Sequence, residues 1–153
     1  MNTDNLQTNT DHGFKLPNKL LEENLGYKII GCFYSVANKY GCGFKEQIYQ
    51  KALEEELTKL GLKFERQKRI NIYSIDTGKV LGVYVPDLIV EGKVVIEIKA
   101  TEFTIDKFLR QQRSYLQASK YEIGYLVNFG SPKLFFKKSI FTNDRKPFMA
   151  LLG

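Results

Sequence analysis

Asp87, Glu97 and Lys99 are the side chains best placed to do chemistry, because of the stretch that carries them: Val85-Pro86-Asp87-Leu88-Ile89-Val90-Glu91-Gly92-Lys93-Val94-Val95-Ile96-Glu97-Ile98-Lys99-Ala100. Two β-branched apolar runs flank a short Glu-Gly-Lys turn, which predicts a β-hairpin. With a three-residue loop, Val90 faces Val94 and Asp87 falls opposite Glu97, while Lys99 points to the same face as Glu97. Directly opposed residues have Cβ atoms about 4.5–5.5 Å apart, and like charges there repel. The Val-Val-Ile-x-Ile run reads as buried on both faces, where Asp, Glu and Lys are tolerated only when paired. A divalent cation between the two carboxylates would account for the cost. The structural alternative is an ion pair of Lys99 with Asp87 or Glu97 that closes the end of a sheet. The Glu-x-Lys triplet alone is unspecific: an acid two residues before a lysine arises by chance about once or twice in a chain this long. Glu91-Gly92-Lys93 and Asp144-Arg145-Lys146 are such cases. The hairpin is what gives Glu97-Ile98-Lys99 its weight.

Two further constellations join these residues. Glu46, Tyr49, Leu53, Leu57 and Leu60 are spaced 3, 4, 4 and 3, one stripe of a helix. Glu46 ends that stripe, as a site residue or as a first-turn acid favoured by the helix dipole. Gln111 and Tyr115 are i and i+4 on the edge of the Ile105/Phe108/Leu109/Leu116 face of another helix. A glutamine there could hydrogen-bond an active-site group or merely rim the core, and Gln112 lies nearer the centre of the stripe.

The elements that must position them follow from periodicity and breakers. Asn18 to Tyr40 has helical spacing (Leu21, Leu25, Ile29, Phe33, Val36, Tyr40), broken by Gly41-Cys42-Gly43. A second helix runs from Phe44 to Leu60 and stops at Gly61. Phe64–Ile75 reads as a strand, turning at Asp76-Thr77-Gly78 into Lys79–Val90, and Val94–Ala100 is the third strand. Thr104 or Asp106 opens a third helix to about Ser119, followed by strands at Ile123–Phe129 and Leu134–Phe141. The order is α-α-β-β-β-α-β-β, an α/β fold. Residues 1–15 read as a disordered polar tail and 16–153 as one domain, long enough to bury roughly 68–70% of its unfolded surface.

Composition narrows the chemistry. Apolar residues make up 43% and charged residues 26%, ordinary for a globular protein. No run approaches a membrane span, and the N-terminus lacks the basic-then-apolar order of a signal peptide, so no membrane partner and a cytoplasmic location are expected. Cys32 and Cys42 form no CxxC pair, and the single histidine, His12, lies in the tail. Structural zinc and Ser-His or Cys-His nucleophilic catalysis are therefore disfavoured, leaving carboxylates, lysine and a hard metal. The net charge is +6, with basic residues at Lys63, Arg66, Lys68 and Arg69, at Lys107, Arg110 and Arg113, and at Lys133, Lys137 and Lys138. Such a balance suits a polyanionic partner, or simply a solvated surface.

Taken together the motifs resemble the PD-(D/E)XK nuclease superfamily and, within it, the group known by a GxxExxY motif. Gly43-Phe44-Lys45-Glu46-Gln47-Ile48-Tyr49 matches that motif, and Pro86-Asp87 with Glu97-Ile98-Lys99 matches the superfamily signature. Gln111-x-x-x-Tyr115 is similar to the QxxxY motif of its RecB-like branch, and Gly124-Tyr125-Leu126-Val127-Asn128-Phe129-Gly130 to a strand of the group. The resemblance covers roughly residues 20 to 138. It departs before the second helix, where the group's usual Val-His and Gly-Pro-Gly become Val36-Ala37 and Gly41-Cys42-Gly43.

The resemblance implies a restriction-endonuclease-like core, a mixed β-sheet flanked by helices, and metal-dependent hydrolysis of phosphodiester bonds. Asp87, Glu97 and the Ile98 carbonyl would hold Mg²⁺ or Mn²⁺, with Glu46 binding directly or through water. Lys99 would hold or polarise the attacking water, Gln111 would orient Lys99 or the nucleophile, and Tyr115 would support it or touch the phosphate. The expected partner is nucleic acid, DNA in the first instance; a homodimer is compatible with the sequence. The rival readings are a nucleic-acid-binding module of the same fold without turnover and an interaction domain whose charged cluster is a buried ion network.

Overall fold

In the computed structural model, residues 22–103 and 105–152 are described; the tail expected over 1–15, the start of the first expected helix and Thr104 lie outside them. Helix α1 (Glu23–Tyr40) packs beside α2 (Glu46–Lys59), and the Gly41–Gly43 break separates them. Seven strands follow: β1 (Phe64–Arg66), β2 (Ile70–Tyr73), β3 (Val80–Tyr84), β4 (Leu88–Val90), β5 (Val94–Lys99), then, after helix α3 (Asp106–Gln117), β6 (Ile123–Asn128) and β7 (Phe135–Ile140). Two short 3₁₀ turns, Asn143–Arg145 and Pro147–Leu151, end the described chain.

Five strands form one sheet in the order β1-β4-β5-β6-β7, and only β5–β6 is parallel, since α3 is the crossover between them. This is the expected mixed sheet flanked by helices. The expected strands Phe64–Ile75 and Lys79–Val90 are each broken in two, so five strands rather than three precede α3. At Gln67 the backbone turns to φ 51°, and at Pro86 the chain has no N–H to offer a ladder. The breaks are bridged to each other, because the Gln67 N–H donates to the Asp87 carbonyl at 3.3 Å. Beyond them β2 and β3 leave the sheet as a separate antiparallel ribbon.

One face of the sheet is covered by α1 and α2. Ile29, Phe33, Val36, Tyr49, Leu53 and Leu57 meet Val94, Ile96, Ile98 and Val127 there in one buried cluster. Leu60, expected to extend the α2 stripe, lies just past the helix end and is 50% exposed. The opposite face is smaller: Ile89, Val95 and Leu116 are buried with Ile70 of the ribbon. Cys32 is buried, and that burial, with the Glu56 charge, pushes its thiol up to about 11, so it supplies no thiolate at neutral pH. No helix among the described residues is long and apolar enough to cross a membrane.

Candidate active site

The hairpin between β4 and β5 sets the site. Lys93 N–H closes onto the Val90 carbonyl at 3.0 Å around Glu91 and Gly92, whose φ angles are 54° and 66°. Positive φ at both central positions is the hairpin-compatible turn, and Gly92 adopts it freely. Glu91 is held in it by β1, taking the Lys63 N–H on Oε2 at 2.6 Å and donating its own N–H to the Lys63 carbonyl at 2.8 Å. The register is that of a three-residue loop, with Val90 against Val94 and Leu88 against Ile96.

One step further on, Asp87 lies opposite Glu97. There the regular ladder gives way to side-chain bonds: Asp87 N–H donates to Glu97 Oε1 at 3.1 Å, and Ile98 N–H donates to Asp87 Oδ2 at 2.7 Å. Both carboxylates are thus fixed by backbone donors, each through one oxygen, with the other oxygen left for another partner.

Burial and mutual repulsion dominate the electrostatics. Burial raises the Asp87 carboxyl, the charge of Glu46 adds to this, and the Ile98 N–H opposes it. Glu97 is pushed up from 4.5 to about 7, by burial first and by the Asp87 charge second. The roof over Glu97 is a stacked pair, Tyr84 of β3 on Tyr115 of α3, with ring centroids 4.1 Å apart. The Tyr84 hydroxyl is buried close enough to interact with Glu97 but not in the geometry of a well-formed hydrogen bond. Burial and the Glu97 charge raise its pKa.

Lys99 follows on the same face as Glu97 and does not close onto either carboxylate. No ion pair joins them among the described residues; the Lys99 ammonium sits over the Phe108 ring, 4.0 Å from its centroid. A cation on an aromatic face is attracted by the ring quadrupole without using up its N–H groups. The expected alternative of an Asp87–Lys99 or Glu97–Lys99 ion pair is therefore not what the geometry shows.

The other expected residues are placed as follows. Glu46 is exposed in the first turn of α2, and its charge is felt at Asp87. Tyr115 reaches the site as half of the aromatic roof. Gln111 is exposed, one turn of α3 beyond Phe108, which places it beside Lys99's support rather than in the core. Its neighbour Gln112 is the buried one, donating Nε2 to the Tyr125 carbonyl at 2.9 Å and packing where a Cβ on Gly124 would come within 2.9 Å.

Four supporting residues have no role at the site that the sequence analysis assigns. Tyr84 reads as one more strand residue, and Phe108 as core. Tyr49 donates its hydroxyl to the Gly41 carbonyl at 2.6 Å and accepts the Phe44 N–H at 3.1 Å, tying down the loop that leads to Glu46. Asn128 takes the Thr101 N–H on Oδ1 at 3.1 Å and donates Nδ2 to the Thr101 carbonyl at 2.9 Å, while Phe129 N–H donates to the Lys99 carbonyl at 2.9 Å. The segment after Lys99 is thereby locked to β6. The signals in the sequence are the Gly43–Tyr49 and Gly124–Gly130 patterns, which by themselves carry no structural role for Tyr49 or Asn128.

A divalent metal fits this donor set in part. Two desolvated carboxylates lie side by side with no ion pair to either among the described residues, the Lys99 charge acting on both only at a distance, and hard oxygen donors suit Mg²⁺, which keeps several waters. Among the described residues no three His, Cys, Asp or Glu side chains converge on one point.

A profile of the PD-(D/E)XK nuclease superfamily matches residues 23–139. Two solved structures are similar to the chain. The crystal structure of an alkaline exonuclease from Laribacter hongkongensis has 14% identity and a TM-score of 0.41, with 71% of this chain and 64% of that one covered. The crystal structure of SSO0001 has 20% identity and a TM-score of 0.44, covering 89% and 67%. The chain thus spans just under two thirds of the exonuclease's length. No curated protein sequence matches it.

Proposed function

Since the chain belongs to the PD-(D/E)XK nuclease superfamily, we propose that it is a metal-dependent nuclease that hydrolyses phosphodiester bonds of DNA through Asp87, Glu97 and Lys99. The observation that carries this reading is the pair of buried, adjacent carboxylates whose neighbouring lysine is held on Phe108 rather than spent on neutralising them. Asp87, Glu97 and the Ile98 carbonyl would hold Mg²⁺ or Mn²⁺, and Glu46 would act from the start of α2, through water. Bound there, the metal would lower the pKa of a coordinated water and stabilise developing phosphorane charge.

The chain's own side chains would do the rest. Lys99 would orient the attacking water and balance charge on the non-bridging oxygens. Tyr84 and Tyr115 would exclude bulk water from Glu97. Gln111, beside Phe108 on the helix surface, would position Lys99 from its solvent side. Placement in the GxxExxY group, and of Gln111-x-x-x-Tyr115 as a RecB-like motif, rests on the sequence pattern and belongs to the same proposal.

A second reading has one observation in its favour. The absence of a third converging acid among the described residues suits a nucleic-acid-binding module of this fold without turnover. Cleavage decides between them. Labelled single-stranded, duplex and branched DNA, with RNA beside them, would be incubated with Mg²⁺, Mn²⁺ or EDTA. The wild type should cut only with metal, and Asp87→Ala and Lys99→Ala should be inert yet folded. Full activity in either variant would overturn the assignment, and metal-independent binding without any cutting would establish the second reading.

A further inference from the structure

The face of the sheet that carries Glu97 does not end at β6. Register runs from Glu97 to Leu126 and on to Lys137, so Lys137 lies level with Glu97, two strands away on edge strand β7. Residues in direct register point to the same face, and two strand spacings make about 10 Å. By the same register Phe135 lies level with Lys99, and it is 42% exposed.

Helix α3 covers β6 between them, and on its β7 side a cleft of about 480 Å³ opens between helix and edge strand. Arg110 and Arg113 line it from the helix and Lys137 from the strand, over a floor that includes Leu109 and Ile140. All three cations are exposed, and none forms an ion pair among the described residues. Asp106 lines the N-terminal end of the cleft, the end nearest Lys99's support Phe108.

We propose that this cleft holds a single strand of nucleic acid running away from the candidate active site, with Arg110, Arg113 and Lys137 on its phosphates and Phe135 stacked on a base. The inference rests on the nuclease reading for its substrate class and adds the form of that substrate. Three cations without ion pairs among the described residues along one groove, with an exposed aromatic two residues before Lys137 on the same face of β7, form the arrangement that binds single strands without regard to sequence. On this proposal one backbone lies in the slot between the helix and the strand beneath it, and a duplex would ride on its rims.

The test is binding in EDTA, so that it does not depend on cutting. Fluorescence anisotropy would follow labelled DNA and RNA single strands of about 12 nucleotides and a duplex of the same length across a salt series. A triple variant, Arg110→Gln with Arg113→Gln and Lys137→Gln, should bind the single strand at least about tenfold more weakly. Its log–log salt slope should flatten by about 2, the value for three phosphate contacts on a single strand. A control that removes three charges elsewhere, Lys28→Gln with Lys51→Gln and Lys79→Gln, should change affinity by less than about threefold. Phe135→Ala should weaken single-strand binding about fivefold or more with the salt slope unchanged.

Equal losses in the two triple variants, or an unchanged slope in the first, would overturn the proposal. So would a loss confined to the duplex. A wild type that never cuts yet shows this pattern would remove the nuclease reading and leave the cleft assigned.

Discussion

Replacing Glu97 by Gln tests whether the two carboxylates are held together against their own preference. The Glu97 carboxyl is raised from 4.5 to about 7 in the folded chain, by burial and then by the Asp87 charge. Between those values the folded state keeps a proton that the unfolded state has released, so stability falls as pH rises from about 4.5 to about 7 and stays lower above it. At about 1.4 kcal/mol per pH unit the loss approaches about 3 kcal/mol. Gln keeps an oxygen to accept the Asp87 N–H and carries no charge. In EDTA at pH 8 the variant should therefore be more stable than the wild type by up to about 3 kcal/mol, a melting shift of about 6–12 °C for a domain of this size. At pH 4.5 the two should melt together. Mg²⁺ or Mn²⁺ at about 100 times its dissociation constant should return about 2.7 kcal/mol to the wild type at pH 8 and much less to the variant. The assay is thermal unfolding by circular dichroism over a pH series, with and without metal. A variant that melts at or below the wild type at pH 8 in EDTA would refute the reasoning, because Glu97 would then be stabilised by its surroundings.

Three other substitutions probe the frame around the site. Tyr49→Phe removes the hydroxyl that spans the Gly41 carbonyl and the Phe44 N–H; chemical unfolding should show a loss of about 1–3 kcal/mol, and cleavage should slow as the loop before Glu46 loosens. Gly130→Ala drives a Cβ into the Thr101 backbone; the loss should reach about 3 kcal/mol or more, and a wild-type melting temperature would show that the Thr101 segment moves aside freely. Buried Lys146, which donates to the Ser119 and Tyr121 carbonyls at 2.8 and 2.7 Å, is lowered by burial from 10.5 to about 8. The unfolded chain then binds the extra proton between those values, so wild-type stability should rise from pH 8 to 10.5, and Lys146→Met should abolish that rise in a pH-resolved melt.

The hairpin and its opposed carboxylates are legible in the amino-acid sequence, because β-branched runs around Glu-Gly-Lys leave few registers, and the loop length alone aligns Asp87 with Glu97. The helices are legible for a similar reason: Ile29, Phe33 and Val36, and Tyr49, Leu53 and Leu57, repeat at helical spacing and are all buried. The break of two long strands is not. Nothing local distinguishes Gln67 from its neighbours, and its positive φ follows from the hydrogen bond to Asp87, a residue twenty positions away. Lys99's position over Phe108 is illegible for the same reason, since an i-to-i+9 meeting depends on how α3 is laid over the sheet. Gln111 and Gln112 show the limit of periodicity: adjacent residues on a helix differ by about 100°, and the one aimed at β6 is Gln112.

The short loop between β4 and β5 also bears on the order in which the molecule assembles. Asp87 and Glu97 are ten residues apart on one hairpin, whereas β5 meets β6 only after α3 has been traversed. Hairpins close in about 1–10 μs, and pairings of larger sequence separation come later because more chain must be restrained first. The repulsion between the two carboxylates is thus encountered at an early, local step, and the cation on Phe108 arrives with the crossover. Acid, by neutralising one carboxyl, should ease the first event and leave the second untouched, so a folding rate that rises as pH falls through the Glu97 range would be the kinetic trace of the opposed carboxylates.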